Sequence, residues 1–410
     1  MNKYKSLISN TMVFAIATFS SKLLVIVMMR FYTGQLEYDY GAAKIIVDTC
    51  NLILPLMHLC VSEAIIRFGL DEKISKSDVF TTGLMTVFIG YAVLWCFFPL
   101  LHKIPEIGRY TPLIYIFVLT SALRTVITHF VRASGFVRLF AIDGVFTVVT
   151  TVTLNILFLA KLNWGITGYV LGTACADALS ALVLFLILKL HRFVRVKKLN
   201  RQVTKDMLKY CLPLIPTALF WWVTNASDRY FVLYMCGKKV NSLYTAAASV
   251  AGMLVIVSSV FTQAWQLSAY TEYETREGER FFSMVFKSYY TFVFLAASGI
   301  MLLAKPLTVP LMGPGFSEAW QYIPLLVLAV SFSCLVTFLG SIYNAAKKNL
   351  MISVTTVIGG VLNLVLNWFL IPTYGAQGAA FATFISYLVV FIIRAIDTDR
   401  KSTRLNSSHT

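Results

Sequence analysis

The sequence predicts an all-α protein that crosses a membrane many times. Of its 410 residues, 58% are hydrophobic and only 13% are charged, and the mean hydropathy is +0.74. A chain this apolar cannot bury its nonpolar surface in one aqueous core. Apolar runs of roughly 20 residues, the length that crosses a bilayer core, recur along the chain with short polar gaps between them. Lipid is therefore expected to be its main solvent.

About twelve such runs are present, and each is long enough to be a membrane-spanning helix. The first is taken as a retained helix, because no small-residue cleavage site follows it as in a signal peptide. The predicted spans are approximately 8–30, 41–67, 79–101, 111–131, 139–160, 166–188, 211–236, 243–267, 284–304, 321–343, 350–371 and 376–396.

Basic residues are divided unevenly between the loops on the two sides of these spans. The side of the N-terminus holds Lys3, Lys5 and the basic cluster from Lys189 to Lys209. The opposite side holds few, such as Lys103 and Lys161. Positive charge is enriched in cytoplasmic loops, so the N-terminus is predicted to be cytoplasmic, in a bacterial inner or plasma membrane. The formal charge of +16 then reflects topology and not nucleic-acid binding.

The sequence carries no pattern that points to an enzyme. Its seven cysteines all lie in or at the edge of hydrophobic segments, without C-x-x-C spacing or paired loop positions, so neither disulfides nor a metal site is indicated. There is no Walker loop, H-E-x-x-H pair or nucleophile elbow, and no soluble stretch long enough to fold into a catalytic domain. We therefore expect no catalytic residues, no metal and no bound cofactor. The candidate sources of energy for such a protein are H⁺, Na⁺ and the membrane potential.

The chain contains an internal repeat with an offset of 210 residues. "NWGITGYVLGT" from Asn163 resembles "TYGAQGAAFAT" from Thr373. An even number of spans separates the copies, so we expect two six-helix bundles in the same orientation, as in parallel transporter repeats. The predicted division is an N-terminal lobe over 1–190, a basic cytoplasmic linker over 191–209 and a C-terminal lobe over 210–398. The matching positions are Gly165 with Gly375, Gly168 with Gly378 and Thr173 with Thr383.

The last residues, 399–410, depart from this pattern. "DRKSTRLNSSHT" is polar and has no apolar face. From Asp399 to His409 it resembles the translation of a sequencing-adapter oligonucleotide. We expect this segment to be an artefact, the natural sequence to end near Thr398, and further helices to be missing.

Three cations lie inside predicted spans. Lys22 and Arg124 have no opposite charge within one helical turn, and Arg229 lies in the seventh span, which the repeat makes equivalent to the first. A charge at mid-bilayer costs about 2.5–3.5 kcal/mol on insertion scales, so it is expected to face a wet cavity or a partner. Together these cations suit a pyrophosphate group, whose hydration several charge-assisted hydrogen bonds can replace. Pairing with a carboxylate on another helix is the alternative. The three candidate diphosphate ligands are Lys22, Arg124 and Arg229.

Four further charged residues lie in the spans. Asp177 and Asp228 are candidates for binding a coupling proton or cation, although Asp228 can equally pair with a cation on another helix. Lys44 and Asp48 are four residues apart on one helical face, so a local ion pair is predicted for them.

The most specific signal is the stretch "YCLPLIPTALFWWVTNASDRYFVLYMCG" from Tyr210, followed by "LYTAAASV" and "SSVFTQAWQLSA". It resembles the polysaccharide-transporter family, the oligosaccharide-repeat flippases within the multidrug and oligosaccharidyl-lipid exporter superfamily. "EAIIRFGLDE", "AWQYIPLLVLA", "IYNAAKKN" and "NLVLNWFLIPTYGAQGAAFAT" extend the resemblance over the rest of the chain.

The resemblance implies two six-helix lobes in a V-shaped exporter, with a C-terminal helix pair that this sequence lacks. It implies a flippase that moves undecaprenyl-diphosphate-linked oligosaccharide to the outer leaflet, for capsule, O-antigen or exopolysaccharide synthesis. Alternating access would expose a cationic central cavity, to which Lys22 and Arg229 align and Arg124 less closely. The implied partners are this glycan lipid, membrane lipids, a polysaccharide polymerase and chain-length machinery. A multidrug or cation antiporter of the superfamily and a lipid II-type flippase remain alternatives.

Overall fold

The computed structural model describes residues 27–196, 199–259, 261–262, 278–345 and 349–409. All regular secondary structure in these residues is helical. The α-helices are α1 (Met29–Leu36), α2 (Tyr40–Met57), α3 (Val61–Gly69), α4 (Lys76–Trp95), α5 (Phe98–His102), α6 (Thr111–Ala133), α7 (Val137–Asn155), α8 (Gly165–Ile187), α9 (Arg201–Cys211), α10 (Leu214–Cys236), α11 (Lys238–Ala251), α12 (Gly278–Leu302), α13 (Ala304–Met312), α14 (Ile323–Ala345), α15 (Asn349–Tyr374) and α16 (Ala376–His409).

Ten helices in the described residues are long and apolar enough to cross a membrane. They correspond to ten of the predicted spans, which confirms the all-α polytopic fold. The predicted span 8–30 lies almost wholly outside the described residues. The predicted span 211–236 is present as α10 but is not among the ten, because residues such as Asn225, Asp228 and Arg229 lower its hydropathy.

The predicted span 41–67 is not one continuous helix. We predicted a single helix over 41–67, but α2 ends at Met57 and α3 begins at Val61. Between them Leu59 and Cys60 have positive φ angles of 52° and 54°. Residues in this left-handed conformation terminate helices. Pro55 also lacks a backbone N–H, which weakens the last turns of α2.

The chain divides into two compact units. Of the described residues, the first unit comprises residues 27–28 and 42–219, and the second comprises Met29–Gly41 and residues 220–409. In the first unit α8 packs against both α6 and α7, and α3 packs against α6. In the second unit α16 packs against α14 and α15, and α12 packs against α14. Each unit therefore has its own helix core.

The short segment Met29–Gly41 belongs to the second unit through contacts with the end of α13. Arg30 Nη1 donates to the carbonyl oxygen of Pro310 at 2.9 Å. Thr33 Oγ1 donates to the carbonyl oxygen of Met312 at 2.8 Å. The last carbonyls of a helix have no hydrogen-bond donor within the helix, and here the side chains of Arg30 and Thr33 supply the donors.

The internal repeat is visible in the backbone. Gly165, the first residue of α8, has φ +52°, and Gly375, directly before α16, has φ +59°. Only glycine adopts this conformation without steric cost. Gly168 and Gly378, three residues on, each lie against the preceding helical segment, where a Cβ atom would come within 3.0 Å of Phe158 and 2.4 Å of Leu370. The glycines matched by sequence thus have matching structural roles.

Gly90 permits a close approach between α4 and the end of α2. A Cβ atom at this position would lie 1.8 Å from the carbonyl oxygen of Met57. Gly144 in α7 is also a helical glycine, but a Cβ atom added to it would have no neighbouring atom within 4 Å. The two glycines therefore differ in packing but not in secondary structure.

We expect Gly90→Ala to lower the free energy of unfolding by about 1–3 kcal/mol, because overpacking forces the two helices apart. Gly144→Ala should leave it unchanged or raise it by about 0.5–1 kcal/mol through helix propensity. Thermal unfolding of the purified protein in detergent, followed by tryptophan fluorescence, measures both. Equal melting temperatures for the two variants would contradict the close packing at Gly90.

Candidate functional site

The first unit contains a buried cluster of three charged residues from three helices. Arg124 lies on α6, Asp143 on α7 and Asp177 on α8. Arg124 Nη2 is 3.2 Å from Asp143 Oδ2, and Arg124 Nη1 is 3.6 Å from Asp177 Oδ1. The guanidinium thus forms ion pairs with carboxylates that are remote in sequence.

Two serines complete this cluster, which we call the Arg124 cluster. Arg124 Nε donates to Ser180 Oγ at 3.0 Å, and Ser180 Oγ donates to Asp143 Oδ1 at 2.5 Å. Ser121 Oγ donates to Asp177 Oδ2. Each serine lies one helical turn from a charged member of the cluster, since residues three apart share a helix face.

The Arg124 cluster holds more negative than positive charge. When all three groups are ionised, two carboxylates face one guanidinium, which leaves a net charge of −1. The side chains of Asp143 and Asp177 are only 3% and 10% exposed, whereas that of Arg124 is 27% exposed. Ionised groups are costly to bury without a partner. The cation is therefore the member most accessible to a ligand.

The second unit contains a buried polar cluster around Asp228 on α10. Tyr244 on α11 donates its hydroxyl to Asp228 Oδ2 at 2.8 Å. Asn367 Nδ2 on α15 donates to Asp228 Oδ1 at 2.9 Å, and Thr383 Oγ1 on α16 donates to Oδ2 at 2.5 Å. Four helices therefore converge on one carboxylate, which accepts hydrogen bonds from three side chains.

This Asp228 cluster extends through Asn363. Ser227 Oγ donates to Asn363 Oδ1 at 3.0 Å, and Asn363 Nδ2 donates to Thr383 Oγ1 at 3.2 Å. Asn367 Oδ1 is buried and has no hydrogen-bond partner among the described residues. A buried acceptor without a donor is unfavourable, so a cation or a water molecule beside it would stabilise the cluster.

The other predicted site residues have different surroundings. Lys22 lies outside the described residues. Arg229 is half-buried on α10, next to Asp228 in sequence. Lys44 Nζ lies 5.9 Å from the ring centroid of Tyr169, a cation–π distance, and Asp48 is half-buried. The ion pair between Lys44 and Asp48 stays a prediction.

The structure adds residues that the sequence patterns did not single out. Asp143 is a lone acid in an apolar run, the same signal that identified Asp177, but it lies near the end of its predicted span. Asn363 and Asn367 are uncharged, and their four-residue spacing on one helix face was the available signal. Among the described residues, no group of three or more His, Cys, Asp or Glu side chains could hold a metal ion.

Comparison with known protein families identifies the chain's relatives. The model of the family described as polysaccharide biosynthesis protein matches residues 7–266. The chain belongs to the polysaccharide biosynthesis protein family. The resemblance recognised in the sequence is therefore confirmed. No curated protein sequence gives a significant match.

Solved structures similar to this member of the polysaccharide biosynthesis protein family are MATE transporters. An inward-facing multidrug resistance MATE transporter of the MOP superfamily has a TM-score of 0.72 at 13% identity, covering 95% of this chain and 99% of its own. A variant MATE transporter from Vibrio cholerae has a TM-score of 0.69 at 15% identity, covering 98% of both chains. An outward-facing MATE transporter has a TM-score of 0.68 at 14% identity, covering 97% and 96%. The chain therefore has a MATE-like fold.

Both clusters lie within this MATE-like fold of a multi-pass membrane protein. In the Arg124 cluster, removing the cation is expected to be more damaging than removing one carboxylate. We expect Arg124→Gln to lower the free energy of unfolding by about 3–5 kcal/mol, because it leaves two buried carboxylates without a cation. Asp177→Asn should cost less, since one cation and one carboxylate remain. SDS titration of the purified protein measures both, and an equal loss would contradict the charge balance.

In the Asp228 cluster, the Thr383 hydroxyl is the group to test. We expect Thr383→Val to lower the free energy of unfolding by about 1.5–3 kcal/mol, because a hydrogen bond to a charged group is lost at nearly constant volume. Thr383→Ser keeps the hydroxyl, so its free energy of unfolding should be closer to that of the unaltered protein. The same SDS titration compares them, and a Val variant as stable as the Ser variant would disprove the bond.

Proposed function

We propose that the protein is a flippase for undecaprenyl-diphosphate-linked oligosaccharide. It would carry repeat units from the cytoplasmic to the outer leaflet by alternating access, with a cationic cavity, for synthesis of capsule, O-antigen or exopolysaccharide. The observation that carries this proposal is membership of the polysaccharide biosynthesis protein family in a chain whose fold is that of a membrane transporter. Translocation of this kind needs no covalent chemistry by the protein.

The charges of the proposed substrate fit the cations inside the chain. A lipid diphosphate presents negative phosphate oxygens that guanidinium and ammonium groups bind with charge-assisted hydrogen bonds. Arg124 and Arg229 belong to helices, and each is partly accessible. Lys22 carries the same charge in the first predicted span. We propose these three residues as the diphosphate ligands.

Asp177 and Asp228 are the proposed sites for a coupling ion. Asp228 is a buried carboxylate whose neighbour Asn367 has an acceptor oxygen without a donor among the described residues. Carboxylate and amide oxygens are ligands for small hard cations such as Na⁺, and a carboxylate also binds H⁺. Asp177 shares one guanidinium with a second carboxylate. Both carboxylates are compatible with transport that is coupled to H⁺, to Na⁺ or to the membrane potential.

The two alternatives from the same superfamily differ from the proposed function in the substrate that they would bind. A multidrug antiporter for cationic drugs would favour acidic groups in the accessible positions, whereas Arg124 is the most exposed member of its cluster. A lipid II-type flippase would bind the same diphosphate and differ only in the glycan. We further propose a bacterial inner or plasma membrane location, a cytoplasmic N-terminus, and cooperation with a polysaccharide polymerase and chain-length machinery.

Complementation of a capsule-negative strain that lacks its flippase tests this proposal. We expect the gene to restore capsule, and Lys22→Ala and Arg229→Ala each to reduce capsule at least about tenfold, because lost charge-assisted contacts are worth about 1.5–3 kcal/mol each. Lys103→Ala, at an exposed loop position, is the matched control and should complement fully. Immunoblots check that protein levels are equal.

Three results would argue against the proposal. Well-expressed protein that exports a cationic drug and restores no capsule would favour the antiporter. Rescue of a strain lacking lipid II flippase, without rescue of capsule, would favour the lipid II-type flippase. Capsule levels that do not change in either alanine variant would reject Lys22 and Arg229 as ligands.

A further inference from the structure

We propose that Arg124 exchanges its carboxylate partners for the substrate diphosphate, and that the carboxylate pair Asp143 and Asp177 takes up one proton when it does so. The proposal rests on the proposed function, because it assigns a diphosphate to Arg124. It adds Asp143 as a second carboxylate of the proton-binding site at Asp177, and a linkage between proton binding and substrate binding.

The contacts of Arg124 allow its guanidinium to separate from the two carboxylates. Its contact with Asp177 is 3.6 Å long, which is beyond a hydrogen bond and is held by Coulomb attraction alone. Its contacts with Asp143 and Ser180 are hydrogen bonds of 3.2 and 3.0 Å. The side chain is 27% exposed, whereas both carboxylates are almost fully buried. A diphosphate would therefore meet the cation first.

Departure of Arg124 would leave two buried carboxylates with neutral donors. Ser121 donates to Asp177, and Ser180 donates to Asp143. Neighbouring carboxylates cannot both stay ionised in a low-dielectric site, so one of them binds a proton. Ser180 Oγ now accepts the Nε–H of Arg124. Once Arg124 has moved, the Ser180 hydroxyl can rotate its hydrogen away and accept the hydrogen of a protonated Asp143.

The charge count favours the same exchange. The free cluster has a net charge of −1 with all groups ionised. A diphosphate diester brings two negative charges, which would raise the total to −3. Uptake of one proton limits it to −2, and so reduces the repulsion between the ligand and the carboxylates.

Electrostatic interactions link the members of the cluster to one another and to His129. Asp177 interacts electrostatically with Arg124 and Asp143. His129, on α6, has its Nδ1 2.7 Å from the carbonyl oxygen of Thr125. It interacts with Glu63 on α3, with Arg132 and with Arg124.

Lys44 and Asp48 lie in the middle of α2, and Lys44 Nζ is 5.9 Å from the ring centroid of Tyr169 on α8. His58, between α2 and α3, interacts with His129. The other charged groups of the described residues, on elements packed against α6, α7 and α8, lie near or beyond the helix ends. They are Arg67 on α3, Lys76 and Asp78 on α4, His102 on α5, Arg109, Arg138, Lys161, His191 and Arg192.

The test is the pH dependence of binding of undecaprenyl diphospho-N-acetylglucosamine to the full chain in lipid nanodiscs. This probe is a diphosphate diester, so it stays ionised across the neutral pH range. Isothermal titration in buffers with different ionisation enthalpies counts the protons taken up. We expect about one proton per bound probe, and an affinity that rises up to about tenfold for each unit by which the pH falls.

Variants assign the proton to the cluster. Asp143→Asn and Asp177→Asn should still bind the probe, but with the pH dependence largely removed. Arg124→Gln should bind more weakly and show no proton uptake. Asp71→Asn, at an exposed loop carboxylate, is the matched control and should keep the full pH dependence.

The outcomes separate this inference from the proposed function. Binding without proton uptake in the unaltered protein would overturn the exchange and leave the flippase intact. Full pH dependence in both Asn variants would do the same. No binding of the probe at any pH would overturn the exchange and count against the flippase as well. The proton count in the unaltered protein needs no variant, so it tests the exchange even if the Asn variants do not fold.

Discussion

The structure depends on one constraint, which is that lipid offers no water to solvate a polar group. Every charged side chain inside a membrane-spanning bundle must find its partners in the protein, in an aqueous cavity or in a ligand. Arg124 satisfies this constraint with two carboxylates and a serine, contributed by α7 and α8. The three helices of that cluster are therefore joined by electrostatics as well as by packing.

The two units meet the constraint in different ways although their glycines match. The first unit balances two carboxylates against one guanidinium. The second surrounds one carboxylate with neutral donors from Tyr244, Asn367 and Thr383. The two units therefore contain two kinds of polar centre. In the proposed mechanism, the first centre responds to an anionic ligand and the second to a cation.

Sequence patterns located the helices and many of the charges, because both are local properties. Apolar length identifies a span, and a charge inside it is visible without knowledge of the fold, as for Arg124 and Asp177. The break at Leu59 and Cys60 was missed because no glycine marks their left-handed conformation in the sequence. The pairing of Arg124 with Asp143 was missed because it depends on which helices pack together. The polar roles of Asn363 and Asn367 depend on the same tertiary arrangement.

Leaflet exchange in proteoliposomes is the most direct test of whether the chain moves a lipid diphosphate across the bilayer. Undecaprenyl diphospho-N-acetylglucosamine is enclosed on the inner leaflet, and its sugar becomes available to a sugar-modifying enzyme outside once it has crossed. We expect the protein to accelerate this crossing well above the rate in protein-free vesicles, and Arg124→Gln to slow it. A crossing rate equal to that of protein-free vesicles, with the protein folded and inserted, would contradict the proposed translocation.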